Sequence, residues 1–336
     1  MIYTFKLRKL YLLLLAMLIL SIPFIFHYKN NFISVNSNND KNYIKWVDFN
    51  VTYPALEKTL NLDINSKQKY NWIEILSCLA VKYGGDFKKY KEKDVDDLIK
   101  KIDDGQNIST LTNQKYYSYY FEAYSAVLNE FIGQYKIKTE TGDWKEYYGL
   151  KVFSPIAKGY AYYDFDDFGT ERSYGYKRKH LGHDLMALTG TPVIAVESGI
   201  VEELGWNKYG GWRIGIRSFD KKRYYYYAHL RKNYPYVKTL KKGNKVTAGD
   251  VIGYVGRTGY SSNENVNNIE QSHLHLGLQL IFDESQKDGT NQIWINLWNI
   301  TQLLEKYRSA VERIADSKEF KRSIDFEDIP NFVQDE

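Results

Sequence analysis

Read for the spacing of its apolar positions, the chain changes character twice. Between about residues 46 and 136, apolar side chains recur every three or four positions, the repeat of one helical face. "NWIEILSCLAVKYGG" places Trp72, Ile75, Leu76, Leu79 and Ala80 on one stripe and stops at Gly84-Gly85. "EKDVDDLIKKIDDG" predicts a second, short helix closing at Gly105. "NQKYYSYYFEAYSAVLNEFIGQY" predicts a longer third one, whose stripe of Tyr117, Tyr120, Phe121, Tyr124 and Leu128 reads as core. No histidine falls in this part and its acids are spread over solvated faces, so it carries no chemistry of its own.

From about Tyr148, glycines separate short runs with period-two alternation, the pattern of strands. "TPVIAVESGIVEELG" reads as two strands about Ser198-Gly199. "GWRIGIRS" sets Trp212, Ile214 and Ile216 on one face, and "KKRYYYYAHL" is rich in tyrosine. "GNKVTAGDVIGYVGRTG" gives a turn at Ala248-Gly249, then a strand from Val251 to Val255. The last strong strand is "SHLHLGLQL". Its leucines at 274, 276, 278 and 280 share one face, and His273 and His275 share the other. After Phe282, "WINLWNITQLLEKYRSAVERI" returns to helical spacing, and an acidic end follows from Asp325. The expected class is α+β: an all-β antiparallel domain preceded by a small helical one.

The chain opens with Lys6, Arg8 and Lys9 and then runs apolar from Leu10 to Phe26. A positive flank before an apolar run is the mark of a secretory signal or membrane anchor. With no small-residue cleavage site after it, the run predicts an N-terminal transmembrane helix. The expected localisation is the cell membrane, single-pass, with the body extracytoplasmic, or secreted if the segment is cleaved. The expected organisation is a cytoplasmic flank at 1–9, anchor at 10–26, Asn- and Ser-rich linker at 27–45 and helical domain at 46–147. The β domain follows at 148–285, then a C-terminal helical extension at 286–322 and an acidic tail at 323–336. A hydrophobic share of 43% suffices for buried cores. The net charge of +5 is too mild and too evenly spread for a nucleic-acid partner. The lone cysteine, Cys78, excludes an internal disulfide and reads as a small buried hydrophobe.

Histidine is scarce and clustered: five of the six lie between residues 180 and 275. Neutral imidazole is a good zinc ligand, and a catalytic zinc takes three protein ligands and leaves one place open. "HLGHD" sets His180 four residues before Asp184, and Asp184 leads the apolar run "LMAL" inward, where a carboxylate needs a partner or a metal. His229 ends the tyrosine strand, and His273 with His275 closes the set.

Taken in order, H-x-G-x-D, "GTPV" at 190–193, "KYGGWRIGI", "YYAHL", "KGNKVTAGDVIGYVGRTG" and "HLH" resemble the lysostaphin-type, or LytM-like, zinc endopeptidases that cut the peptide part of bacterial peptidoglycan. The resemblance covers roughly residues 150 to 282. It implies one zinc ion per chain, held by His180, Asp184 and His275, with His229 and His273 as catalytic histidines beside it. It also implies that Tyr174 or Tyr176 helps stabilise the oxyanion, and that the substrate is a stem or cross-bridge peptide of peptidoglycan. His183 matches no ligand position and should point to the opposite face from its neighbour Asp184. Two departures stand out. Many members follow the second histidine of H-x-H with Phe-Glu, where this chain has Leu276-Gly277. The polar loop "YSSNENVNNIEQS" lengthens the approach to H-x-H and is expected to rim the cleft. The competing reading is a non-catalytic scaffold or regulator that keeps the fold and binds wall peptide or a protein partner.

Overall fold

A computed structural model of the chain describes residues 43–66, 70–174, 176–289 and 291–331, without the side chains of Tyr174 and Tyr176. Four helices come first: α1 (Tyr53–Asn65), α2 (Trp72–Tyr83), α3 (Glu92–Asp103) and α4 (Gln114–Leu128). Their ends follow local chemistry. The Asn71 side chain accepts from the amides of Ile73 and Glu74 and so caps α2, and Gly84 ends it with φ 65°. The expected stripe on α2 is buried throughout, as are Tyr117, Tyr124 and Leu128 of α4. Cys78 is buried as well, and burial pushes its thiol up to about 11.

The strands follow as β1 (Ile132–Lys138), β2 (Trp144–Leu150), β3 (Tyr162–Tyr163), β4 (Glu171–Tyr174), β5 (Tyr176–Lys179) and β6 (His183–Ala187). Next come β7 (Pro192–Ile194), β8 (Gly199–Asn207), β9 (Gly211–Ser218), β10 (Arg223–Ala228), β11 (Lys245–Val246), β12 (Val251–Tyr254), β13 (His273–Leu280) and β14 (Ile293–Trp294). A short helix α5 (Trp298–Leu304) precedes β15 (Val311–Arg313), β16 (Phe320–Arg322) and β17 (Phe326–Asp328). The main sheet is antiparallel in the order β11-β8-β9-β10-β13-β6-β3, with β14 added on β13. The four leucines of β13 are all buried on one face of it.

Four expectations are corrected. The helical pattern gives way after Leu128 to the hairpin β1–β2, whose turn uses Gly142 at φ 92°, so the end of the expected helical domain is a strand hairpin rather than helix. The C-terminal region is helical only over α5. There Arg308 donates to the carbonyls of Ile156 and Ala157 and Ser309 Oγ donates to that of Gly249, contacts that pull the chain off the helical path into the β15–β16 hairpin. Nor is the acidic end free over its described length: β17 pairs with β1 and buries Phe326. The single-pass membrane localisation is overturned. Among the described residues no helix is long and apolar enough to cross a membrane, and the 10–26 segment lies outside them.

Helices and sheets share one hydrophobic core and belong to one compact unit from Ile44 onward. Buried charge ties the two parts together. Arg223 donates through Nε and Nη2 to the Glu197 carboxylate (2.8 and 3.0 Å), through Nη2 to Asp220 (2.8 Å) and through Nη1 to the carbonyl of Ala126 on α4 (2.7 Å). Lys151 is likewise buried between Glu130 and Asp328. Removing one partner of such a set strands a carboxylate in the interior. Arg223→Met should therefore lower stability by roughly 3–5 kcal/mol in urea denaturation. A loss below about 1 kcal/mol would show that the ion pairs do not hold the helices to the sheet.

Candidate active site

The register of β6 against β13 places Asp184 directly opposite His275 and Met186 opposite His273. Directly opposed residues share a face, so Asp184, His273 and His275 emerge together. His180 reaches the same point from the turn before β6. Its amide donates to the Thr170 carbonyl (2.9 Å) and its carbonyl accepts from Gly169 N (2.8 Å). Glycine is required in that turn: a Cβ on Gly182 would stand 2.5 Å from the His275 ring and 2.7 Å from the Leu276 carbonyl oxygen.

Three donor atoms converge. His180 Nε2 lies 2.8 Å from His275 Nδ1, and each lies 3.0 Å from Asp184 Oδ1. Among the described residues this is the group able to hold a metal ion. Two imidazole nitrogens and one carboxylate oxygen, all able to face a single point at roughly 2 Å, form a donor set that suits zinc with a coordination position left over.

A buried carboxylate that the sequence reading overlooked supports this set. Asp167 Oδ2 lies 3.1 Å from His180 Nδ1 and accepts from Arg172 Nη2 at 2.9 Å. Burial alone would raise the Asp167 carboxyl, but hydrogen bonds from His180 and His183 outweigh it and hold it at about 2. By the same contacts His180 is pushed up to about 9: burial opposes its charge, and the carboxylates of Asp167 and Asp184 prevail. The Asp184 carboxyl is lowered against burial by hydrogen bonds from His180 and His275. His183 opposes Leu276 and faces away, as expected. It is fully buried, with Nε2 2.8 Å from Asp164 Oδ2 and its ring edge-on to Trp298. The acidic run Asp164, Asp166, Asp167, close ahead of the first ligand position, was the available signal.

His229 and His273 sit beside the convergence point, their rings 4.8 Å apart. His229 Nδ1 donates to the Thr258 carbonyl and His273 Nδ1 to the Gln271 carbonyl, both at 2.9 Å. A carbonyl only accepts, so Nδ1 carries the proton in each ring and Nε2 is the free nitrogen. His273 Nε2 is 3.8 Å from Asp184 Oδ1. Burial, and after it the neighbouring His273 and His275, push His229 well below the ordinary histidine range. Its backbone is strained at φ 61° and is held there by a 2.7 Å bond from its amide to the Gly210 carbonyl. The side chains of Tyr174 and Tyr176 lie outside those described.

His180, Asp184, His229 and His275 border a cleft of about 460 Å³ that runs over β10 and β13. At Gly277, Trp294 fills the space: a Cβ there would meet its ring at 2.6 Å and the Leu181 carbonyl oxygen at 3.2 Å. No acid fits at that position. The polar loop contributes Tyr260 to the cleft wall and is fixed by Asn265, whose Oδ1 accepts from Trp212 Nε1 and Asn233 N.

Residues 178–288 match the model of Peptidase family M23. The chain is 40% identical over 124 residues to the L-Ala–D-Glu endopeptidase of Bacillus subtilis, covering 37% of this chain and 36% of that protein. It is 40% identical over 98 residues to the glycyl-glycine endopeptidase ALE-1 of Staphylococcus capitis, covering 29% and 24%. The chain thus spans about a third or less of these two curated relatives. A solved structure of a candidate glycyl-glycine endopeptidase, lytM, from Ruminococcus gnavus superposes with a TM-score of 0.52 at 26% identity, over 79% of this chain and 91% of that one.

Two outcomes follow for metal binding. Asp167→Asn removes the acceptor that orients His180 and should weaken zinc affinity by about 10–100-fold in chelator competition; unchanged affinity would make Asp167 merely structural. In the metal-free protein a proton occupies His180 below about 9, and zinc must displace it. Affinity should therefore rise with pH from 6 toward 9, and a flat profile would show His180 already neutral.

Proposed function

Because residues 178–288 form a LytM-like domain of peptidase family M23, we propose that the chain is a zinc metalloendopeptidase that hydrolyses peptide bonds of bacterial peptidoglycan. His180, Asp184 and His275 would hold the metal, and His229 and His273 would act on the reacting atoms. The observation that carries this reading is the convergence of three donors within 3.0 Å of one another beside two histidines with free Nε2 atoms. The curated relatives above are named for an L-Ala–D-Glu bond and a glycyl-glycine bond, so stem-peptide and cross-bridge bonds both belong to the proposed substrate class.

Zinc, when bound, would supply Lewis-acid chemistry, acidifying a water molecule and polarising the scissile carbonyl. The protein does the rest. Asp167 keeps the His180 proton on Nδ1, which leaves Nε2 for the metal. His229 is kept neutral by burial and by its imidazole neighbours, and its Nε2 is suited to take a proton from the attacking water. His273 Nε2 lies 3.8 Å from the Asp184 carboxylate, and once it carries a proton it can donate a hydrogen bond toward the developing oxyanion. The carbonyls of Thr258 and Gln271 lock both rings, so neither must reorient during the reaction.

Zinc content and digestion of purified peptidoglycan test this together. His229→Ala should keep stoichiometric zinc and lose about 10²–10⁴ in rate, whereas Asp184→Ala should lose the zinc itself. A wild-type chain without bound zinc would sink the enzyme reading; a His229→Ala variant as active as wild type would sink only the assignment of roles.

A further inference from the structure

The cleft continues beyond His229 along a wall formed by Tyr209, Tyr260 and Arg178. The Tyr260 ring lies 5.8 Å from that of His229. The Arg178 guanidinium carbon lies 5.1 Å from the centroids of both Tyr209 and Tyr260, and Nη2 donates to the Tyr260 hydroxyl at 2.9 Å. Nη1 is buried and has no hydrogen-bond partner among the described residues. The other arginine of the cleft, Arg213, is paired with Glu203, and Lys287 is paired with Glu202. Arg178 makes no ion pair among the described residues. It stands one ring from His229, stacked on aromatic faces, with a nitrogen that lacks an acceptor.

A buried donor without an acceptor is costly, and a guanidinium fork matches a carboxylate in shape and charge. We propose that Arg178 anchors a carboxylate of the substrate next to the scissile bond. The substrate is then an acidic, stem-type peptide rather than a glycine bridge, whose interior residues carry no side-chain charge. This deepens the peptidase reading and rests on it for the identity of the cleft. Nη1 is shut off from water in this conformation, so the Tyr260 ring, which accepts from Nη2 through its hydroxyl, turns aside as the carboxylate binds. The aromatic stacking holds the cation in place until then.

The test uses the zinc-loaded full chain carrying His229→Ala, so that peptide is bound and not consumed. Calorimetry compares L-Ala–γ-D-Glu–L-Lys, its isoglutamine analogue with that carboxylate turned into an amide, and pentaglycine. The acidic peptide should bind at least about tenfold more tightly than either of the others. Adding Arg178→Gln should bring the acid-to-amide ratio within about threefold, and Arg178→Lys should leave an intermediate ratio because it keeps the charge and loses the fork. Zinc content and melting temperature confirm that each variant is folded. A preference that survives Arg178→Gln, equal binding of acid and amide by the parent, or no measurable binding of any peptide overturns the proposal. An acid preference that needs Arg178, in a chain that cuts nothing when His229 is intact, leaves the proposal standing and removes the peptidase reading.

Discussion

The antiparallel register of β6 and β13 is the constraint on which the rest of the site depends. It sets Asp184 across from His275 and keeps His273 on the same face. Because side chains alternate with period two, a slip of one residue would turn the histidines inward and the leucines out. The leucines at 274, 276, 278 and 280 are each buried. Exposing even one would forfeit roughly 1.5–3 kcal/mol. The apolar face therefore determines where the polar face stands, and the cleft chemistry inherits its precision from the core beneath it.

That dependence explains what could be read in the sequence. Strand alternation is a local signal, so the shared face of His273 and His275 and the opposite orientation of His183 were legible without a structure. Asp167 was not, because it belongs to an irregular segment and reaches His180 through a turn that no periodicity announces. The left-handed backbone of His229 was equally hidden: it arises from bonds to Gly210 and Thr258, far away in the chain. The C-terminal region misled for the converse reason. Its spacing after Trp298 is helical, yet Arg308 and Ser309 find carbonyls on the β domain, and those tertiary contacts outweigh a weak local preference.

His229 and His273 share one tautomer but not one environment. Each has its Nδ1 proton committed to a main-chain carbonyl, so the protein has fixed proton positions before any substrate arrives. They differ in charge surroundings: His229 is enclosed among imidazoles, while His273 approaches a carboxylate. Two histidines from separate motifs thereby become unequal partners. The helical part belongs to the same arrangement, since Arg223 joins α4 to the strand that carries His229 at its end.

Gly277 and Trp294 carry a consequence for how this site could change over time. With the indole in place, a side chain at 277 collides with it and with the Leu181 carbonyl. With a small residue at 294, the space beside His275 opens and a glycine there leaves a void. Neither position can drift alone without cost, so the two should vary as a pair. By this geometry, replacing the glycine–tryptophan pair with an acid and a small residue takes two coupled substitutions, a barrier made from one ring resting on one missing methyl group.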